Sequence, residues 1–187
     1  MEHSVERAVV FAGFGGQGLL FAGRILARAA IKDGLEVFWI PSYGPEMRGG
    51  TAACTVIVGQ QPIGSPIVDQ YDALIAMNLP SLGRYGPRVH AGGLLVLNAS
   101  LIGEPSGRHD LDELRLPCTA LAAKGGDDKL VSVVGLGALV GRLGWVTPGS
   151  VRAALEDVAG GNRPEILEAD LGAFEAGFQA ARVEVAG

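Results

Sequence analysis

The sequence predicts an α/β fold with a doubly wound, mostly parallel sheet flanked by helices, and three observations carry that prediction. Short apolar runs rich in β-branched residues alternate with stretches of helical apolar spacing. A glycine cluster, Gly13 to Gly18, stands between the first such run and the first helical stretch. Proline and glycine gather where strands would end. With 187 residues, 48 % apolar and 19 % charged, the chain is long enough to bury most of its surface around one core, so residues 1–187 are expected to form a single domain.

Ala8 to Ala12 (AVVFA) is a short continuous apolar run, the pattern of a strand buried on both faces. Gly18 to Asp33 then carries Leu19, Leu20, Ile25, Leu26, Ala29 and Ala30 at helical spacing and stops at Gly34. Glu36 to Ile40 (EVFWI) reads as the next strand, which makes a βαβ unit and predicts a right-handed crossover into a parallel sheet. Pro41 to Gly50 holds two Pro and three Gly in ten positions and is expected to be a loop at a strand's carboxyl end. Thr51 to Val58, Asp72 to Met77 and Gly93 to Leu97 are three further strands, with a short helix between the last two that starts near Pro80. Lys129 to Leu143 is apolar or small nearly all round, so it predicts a buried helix whose Gly135, Gly137 and Gly141 allow close approach to the sheet. Thr147-Pro148 is an N-cap followed by Pro at the first helical position, opening a helix to about Val158; Arg163 to Arg182 is a final amphipathic helix.

Composition excludes several functions. The chain has 29 Gly where average usage gives roughly 13. The excess has no three-residue period, and high apolar content argues against a disordered chain. Three Lys and a formal net charge of −5 speak against nucleic-acid binding. Cys54 and Cys118 are too few for a disulfide framework, a zinc site or an iron-sulfur ligand set, and read as buried, inert thiols. His3, His90 and His109 are scattered and read as surface imidazoles. Met1 to Arg7 is polar and does not resemble a signal peptide, while the longest apolar run, 11 residues from Val131, is well short of the roughly 20 that span a bilayer. A cytoplasmic protein without membrane attachment is the expectation.

Gly13, Gly15 and Gly18 fit G-x-G-x-x-G between a strand and a helix, the setting of a Rossmann-like phosphate loop. Bare backbone lets the chain turn tightly, and the helix N-terminus offers unpaired N–H groups to an anion. Gly16 bares the loop further and Gln17 adds an amide. The dinucleotide fingerprint also asks for an acidic residue about 20 positions on. Ile40-Pro41 stands there, and Leu19-Leu20 replaces the Lys-Ser/Thr of a Walker loop, so ordinary dinucleotide or P-loop chemistry is disfavoured. The second loop runs Ser42, Tyr43, Gly44, Pro45, Glu46, Met47, Arg48, Gly49, Gly50, Thr51, where open α/β sheets place ligands. Arg48 either meets an anion beside the bare N–H groups of Gly49 and Gly50 or pairs with Glu46. Tyr43 and Met47 either face a partner or apolar ligand or fill a local gap. The chain shows binding loops without a G-x-S-x-G elbow, an H-E-x-x-H pair or any other catalytic set, so the glycine loop reads as an anion or phosphate site or as a purely structural tight turn, and a free-standing nucleotide-binding or regulatory domain or a small dehydrogenase stays open.

The paired segments Gly13-Phe14-Gly15-Gly16-Gln17-Gly18 and Pro41-Ser42-Tyr43-Gly44-Pro45-Glu46-Met47-Arg48-Gly49-Gly50-Thr51-Ala52 resemble the gamma subunit of 2-oxoacid:ferredoxin oxidoreductases. The likeness continues through Pro62 to Pro66, Ala76-Met77-Asn78-Leu79-Pro80-Ser81-Leu82 and Val134 to Leu139, nearly the whole chain. The Pro-Glu-Met-Arg-Gly-Gly-Thr wording is closer to the 2-oxoglutarate and 2-ketoisovalerate types than to the pyruvate type. The resemblance implies a multisubunit enzyme that decarboxylates a 2-oxoacid and yields acyl-CoA, carbon dioxide and reduced ferredoxin. Thiamine diphosphate, magnesium and iron-sulfur clusters would sit on alpha, beta and, where present, delta-type partners, and CoA would be cosubstrate. This chain would bind no cofactor alone and would reach ferredoxin through the complex. Gly15, Gly16, Gln17, Gly18, Ser42, Tyr43, Arg48, Gly49, Gly50 and Thr51 would line a substrate, CoA or other anion site. Where the family often has Asn ahead of the later Gly-Ala-Leu stretch, this chain has Ser132.

Overall fold

The computed structural model describes residues 6–42, 51–124, 127–159 and 163–183. In chain order they form β1 (Arg7–Phe14), α1 (Leu19–Lys32), β2 (Glu36–Ser42), β3 (Thr51–Gly59), β4 (Tyr71–Ala76), α2 (Leu79–Tyr85), β5 (Val89–Asn98) and β6 (Asp112–Leu116), then α3 (Cys118–Ala123), α4 (Val131–Leu143), α5 (Pro148–Ala159) and α6 (Pro164–Val183). The six strands make one sheet in the order β2-β3-β1-β4-β5-β6. Strands β1, β4, β5 and β6 are parallel neighbours, whereas β3 runs antiparallel to both β2 and β1.

The expected βαβ unit is therefore altered. β1 and β2 do run the same way, but β3 lies between them, pairing Phe11 with Cys54 on one side and Trp39 with Val56 on the other. β3 takes the inner place because Ala52, Ala53, Cys54, Val56, Ile57 and Val58 are buried, which needs cover on both faces. β2, with Glu36 and Phe38 exposed, is left at the edge. That edge position also corrects the loop expected from Pro41: Pro41 and Ser42 continue β2 opposite Cys54 and Ala53, since an edge strand tolerates a residue without an N–H donor. At the opposite edge, β6 (DELRL) is charged enough to escape periodicity analysis. Leu114 and Leu116 nevertheless point to the core, and Arg142 of α4 grips Asp112 through two hydrogen bonds of 2.6 Å.

Alternation along the strands divides the core in two. Val9, Phe11, Cys54, Val56, Ile75 and Val96 face α1, α4, α5 and α6. Val10, Ala12, Ile57, Leu74, Leu95 and Leu97 face the other side, where α2 contributes Leu82 and Tyr85. The helices are thus on both faces but unequally shared, four long ones against one of 7 residues. Helix α4 is buried from Val131 to Val140, as its composition predicts. Of these three only Gly135 uses its bareness against the sheet, at Ile75 of β4 and Met77 just after it; Gly137 and Gly141 instead admit the backbone of α6 at Phe174 and Phe178. The Thr147-Pro148 start is confirmed: Thr147 Oγ1 accepts the Ser150 N–H at 3.2 Å. Asp33, just past α1, accepts the Thr147 N–H at 2.6 Å as well as the Thr147 and Ser150 hydroxyls, tying α1 to α5. Burial would raise the Asp33 carboxyl, yet these donors outweigh it and hold the group below its ordinary value.

Candidate functional site

β1 connects through α1 toward one edge of the sheet and β4 through α2 toward the other, so their adjacent carboxyl ends form a topological switch point. The glycine loop lies there. Gly13 is buried, and a side chain there would collide with the Met77 Cβ, 2.8 Å from the place its own Cβ would take. Gly15 and Gly16 are exposed, and Gly16 has a φ of +96°. Gly18 ends the loop at φ +74° as the N-cap of α1, with no side chain satisfying the first N–H groups of the helix. Those donors and the bare loop suit an anion.

Gln17 is more committed than its sequence position suggests. Its Oε1 accepts the Phe14 N–H at 2.7 Å, closing the loop on itself, so only its Nε2 is left to donate elsewhere. Its backbone carbonyl is held from 115 positions away: the Ser132 hydroxyl donates to it at 2.6 Å and the Ser132 N–H at 3.3 Å. Ser132, fully buried at the start of α4, thus clamps the loop, a role that no local pattern could reveal. Replacing Ser132 with Ala should cost about 1 kcal/mol, or about 2–4 °C in Tm for a chain of this size. Amide exchange at residues 15–18 should quicken while α4 stays protected; unchanged exchange there would dismiss the clamp.

The two ends of the second loop, Ser42 and Thr51, come to the same end of the sheet as the first loop. Thr51 pairs with Phe14 and Ala52 with Gly13, while Ser42 lies opposite Ala53. The exposed Ser42 and the backbone of Thr51 are thereby placed beside the glycine loop. Tyr43, Arg48, Gly49 and Gly50 lie outside the described residues, as do Glu46, Met47 and His3, and the side chain of Thr51 is likewise not described. Asn78 and Asn98 complete this edge. Asn78 Oδ1 accepts the Ser81 N–H at 2.8 Å and caps α2, and Asn98 Nδ2 donates to the Met77 carbonyl at 3.3 Å and to Thr119 Oγ1 at 2.9 Å. The Asn78 Nδ2 and Ser81 Oγ are buried without a partner among the described residues. The sequence marked Asn78 only through its family resemblance, since an Asn two positions ahead of Pro80 reads first as a helix cap.

The bare backbone and the N-terminus of α1, which no side chain caps, suit a negatively charged group, and neither cysteine offers the loop a nucleophile. Cys54 and Cys118 are both buried, in β3 and just after β6, with three strands between those two in the sheet. Burial pushes each thiol up to about 12, so neither supplies a thiolate for a cluster or for covalent chemistry. Among the described residues no group of three His, Cys, Asp or Glu is disposed to hold a metal ion. These residues do not fit an iron-sulfur centre. His90, read as a surface imidazole, lies partly exposed and bonds the Ala91 carbonyl at 2.8 Å and Asp72 at 3.0 Å, contacts that raise its pKa. It lies beyond the opposite end of β4 from the loops. No described helix is long and apolar enough to cross a membrane.

Known proteins share both the sequence and the fold. Residues 8–180 match the model of the pyruvate ferredoxin/flavodoxin oxidoreductase family. The ketoisovalerate oxidoreductase subunit VorA of Methanothermobacter thermautotrophicus is 35 % identical over 183 residues, 97 % of this chain but 38 % of VorA. The chain thus spans well under half the length of the VorA relatives it matches. The 2-oxoglutarate synthase subunit KorC of Methanothermobacter marburgensis is 35 % identical over 92 % of this chain and 95 % of its own. Among solved structures, the gamma subunit of a keto/oxoacid ferredoxin oxidoreductase from Geobacter sulfurreducens superposes with a TM-score of 0.81 at 30 % identity, covering 95 % of this chain and 99 % of that one.

Proposed function

This chain belongs to the pyruvate ferredoxin/flavodoxin oxidoreductase family, and on that premise we propose that residues 1–187 act as one gamma-type subunit of a multisubunit 2-oxoacid:ferredoxin oxidoreductase. The complex would convert a 2-oxoacid and CoA to acyl-CoA and carbon dioxide with reduction of ferredoxin. The relatives named for 2-oxoglutarate and for ketoisovalerate favour one of those two substrates here. Thiamine diphosphate with magnesium and the iron-sulfur clusters supply the decarboxylation and electron transfer from alpha, beta and, where present, delta-type partners. The site of action is the cytoplasm, without nucleic acid or membrane.

The register that sets Phe14 against Thr51 carries this reading, because it brings the ends of both loops to one edge at the switch point. Within it Gly15, Gly16 and Gly18 leave backbone open to an anion, and Gln17 Nε2 donates beside them. Ser42, Tyr43, Gly49, Gly50 and Thr51 line the opposite loop, and Arg48 meets a carboxylate of the oxoacid or a phosphate of CoA. A charge-assisted contact of about 1.5–3 kcal/mol makes the test quantitative. In the reconstituted complex Arg48→Ala should raise KM for the oxoacid or for CoA about tenfold or more, with kcat changed less; unaltered KM for both would reject the assignment. Purification from the native source with mass spectrometry of the partners tests the subunit itself. A stable, solitary chain that takes up a nucleotide would instead favour a free-standing regulatory domain.

A further inference from the structure

A second concave region lies away from the paired loops. Between the first turn of α1, the 3-10 turn Asp128–Leu130, the end of α5 and the start of α6 is a cavity of about 790 Å³, within the range of small-molecule sites. Its walls are apolar at Phe21, Leu130, Val158 and Ile166. Its charged lining is mixed: the carboxylates Asp127, Glu165 and Asp170, and the cations Lys129 and Arg163.

Asp170 sets this cavity apart from a solvated surface cleft. The residue is only 6 % exposed, it lines the cavity, and no donor among the described residues reaches its carboxylate. Burial, with Asp127 close by, pushes it up to about 6, so at neutral pH it stands ready as an ionised acceptor. Asp127 is itself placed, accepting the Lys129 N–H at 2.9 Å. Neither Lys129 nor Arg163 has an ion-pair partner among the described residues.

From this combination we infer that the cavity is a binding site for a small zwitterion with an apolar body, an aliphatic α-amino acid, whose ammonium satisfies Asp170 and whose carboxylate meets Lys129 or Arg163. A metal ion is a poorer occupant, because no three ligating groups converge among the described residues. A basic side chain from another protein is poorer too, since two cations, Lys129 and Arg163, line the same space. The inference stands apart from the role of the paired loops, but the two places touch: the Lys129 carbonyl on the cavity's rim abuts Gly18.

The probe is L-leucine added to the full chain, followed by amide chemical shifts and calorimetry at pH 7.5. Saturable binding is expected, with shifts centred on residues 127–130 and 165–170. Asp170→Asn should weaken it at least tenfold, lowering the pH to 5 should weaken it in the wild type, and 4-methylpentanoate, which lacks the ammonium, should fail to bind. If Asp170→Asn is poorly folded, Ile166→Trp at the exposed rim should block the site instead. No saturable binding, shifts elsewhere, or equal affinity for 4-methylpentanoate would overturn the assignment.

Discussion

Gly177→Ala is expected to be the most damaging single-methyl change in the chain. A Cβ at this position of α6 would stand 2.8 Å from the Val134 carbonyl carbon, with the carbonyl oxygen nearer still, and 3.1 Å from the Ala138 nitrogen. These are backbone atoms of α4, which no rotamer change can move aside. The reciprocal contact is as tight: Gly137 of α4 has the Phe178 nitrogen 2.8 Å from where its Cβ would be. The helices must separate to admit the methyl, opening the packing along Val134, Ala138, Ala173 and Phe174. Overpacking of this kind costs on the order of 3 kcal/mol, a large part of the roughly 5–15 kcal/mol that holds a domain folded. Urea unfolding of the chain should show the midpoint falling sharply with unchanged m. Gly172→Ala on the same helix, where nothing lies within 4 Å of the added carbon, should be harmless; equal effects at the two positions would refute the backbone contact as cause.

The second large effect is expected at the glycine loop. Gly18→Ala combines two penalties, a left-handed φ of +74° and a Cβ 2.9 Å from the Lys129 carbonyl carbon. Conformation alone costs about 1–2 kcal/mol. Gly16→Ala isolates that part, because at φ +96° its added carbon meets nothing within 4 Å. The Ala variant of Gly16 should therefore lose only this increment, whereas that of Gly18 must also push the 3-10 turn away from α1 and break the Ser132 clamp on Gln17. In the complex, Gly18→Ala should reduce kcat/KM by a much larger factor than Gly16→Ala. Similar losses would show that conformation, and not the approach of Lys129, dictates glycine at position 18.

Comparing pattern with structure shows where local rules suffice. The apolar runs, the Thr147-Pro148 cap and the buried helix were legible because each is set by residues within a few positions of one another. Strand direction was not: Thr51 to Val58 is equally apolar whether it runs parallel or antiparallel, and only the hairpin with β2 decides. β6 hid because an edge strand beside solvent carries Asp112, Glu113 and Arg115. The loops of the candidate site stood out through glycine, but the residues that fix them did not. Ser132 acts across 115 positions, and Asp170 on an amphipathic helix looks like any solvated carboxylate until the fold buries it.

The inserted β3 also orders events as the chain forms. β1 and β2 emerge first yet never bond to each other; both wait for residues 51–59 to supply their shared neighbour. The nascent β1-α1-β2 segment therefore has a helix but no sheet to rest it on, and its loop lacks both the pairing of Phe14 with Thr51 and the Ser132 hydroxyl on Gln17 until those residues have been made. A chain arrested on the ribosome before β3 would therefore expose the apolar face of α1 to chaperones.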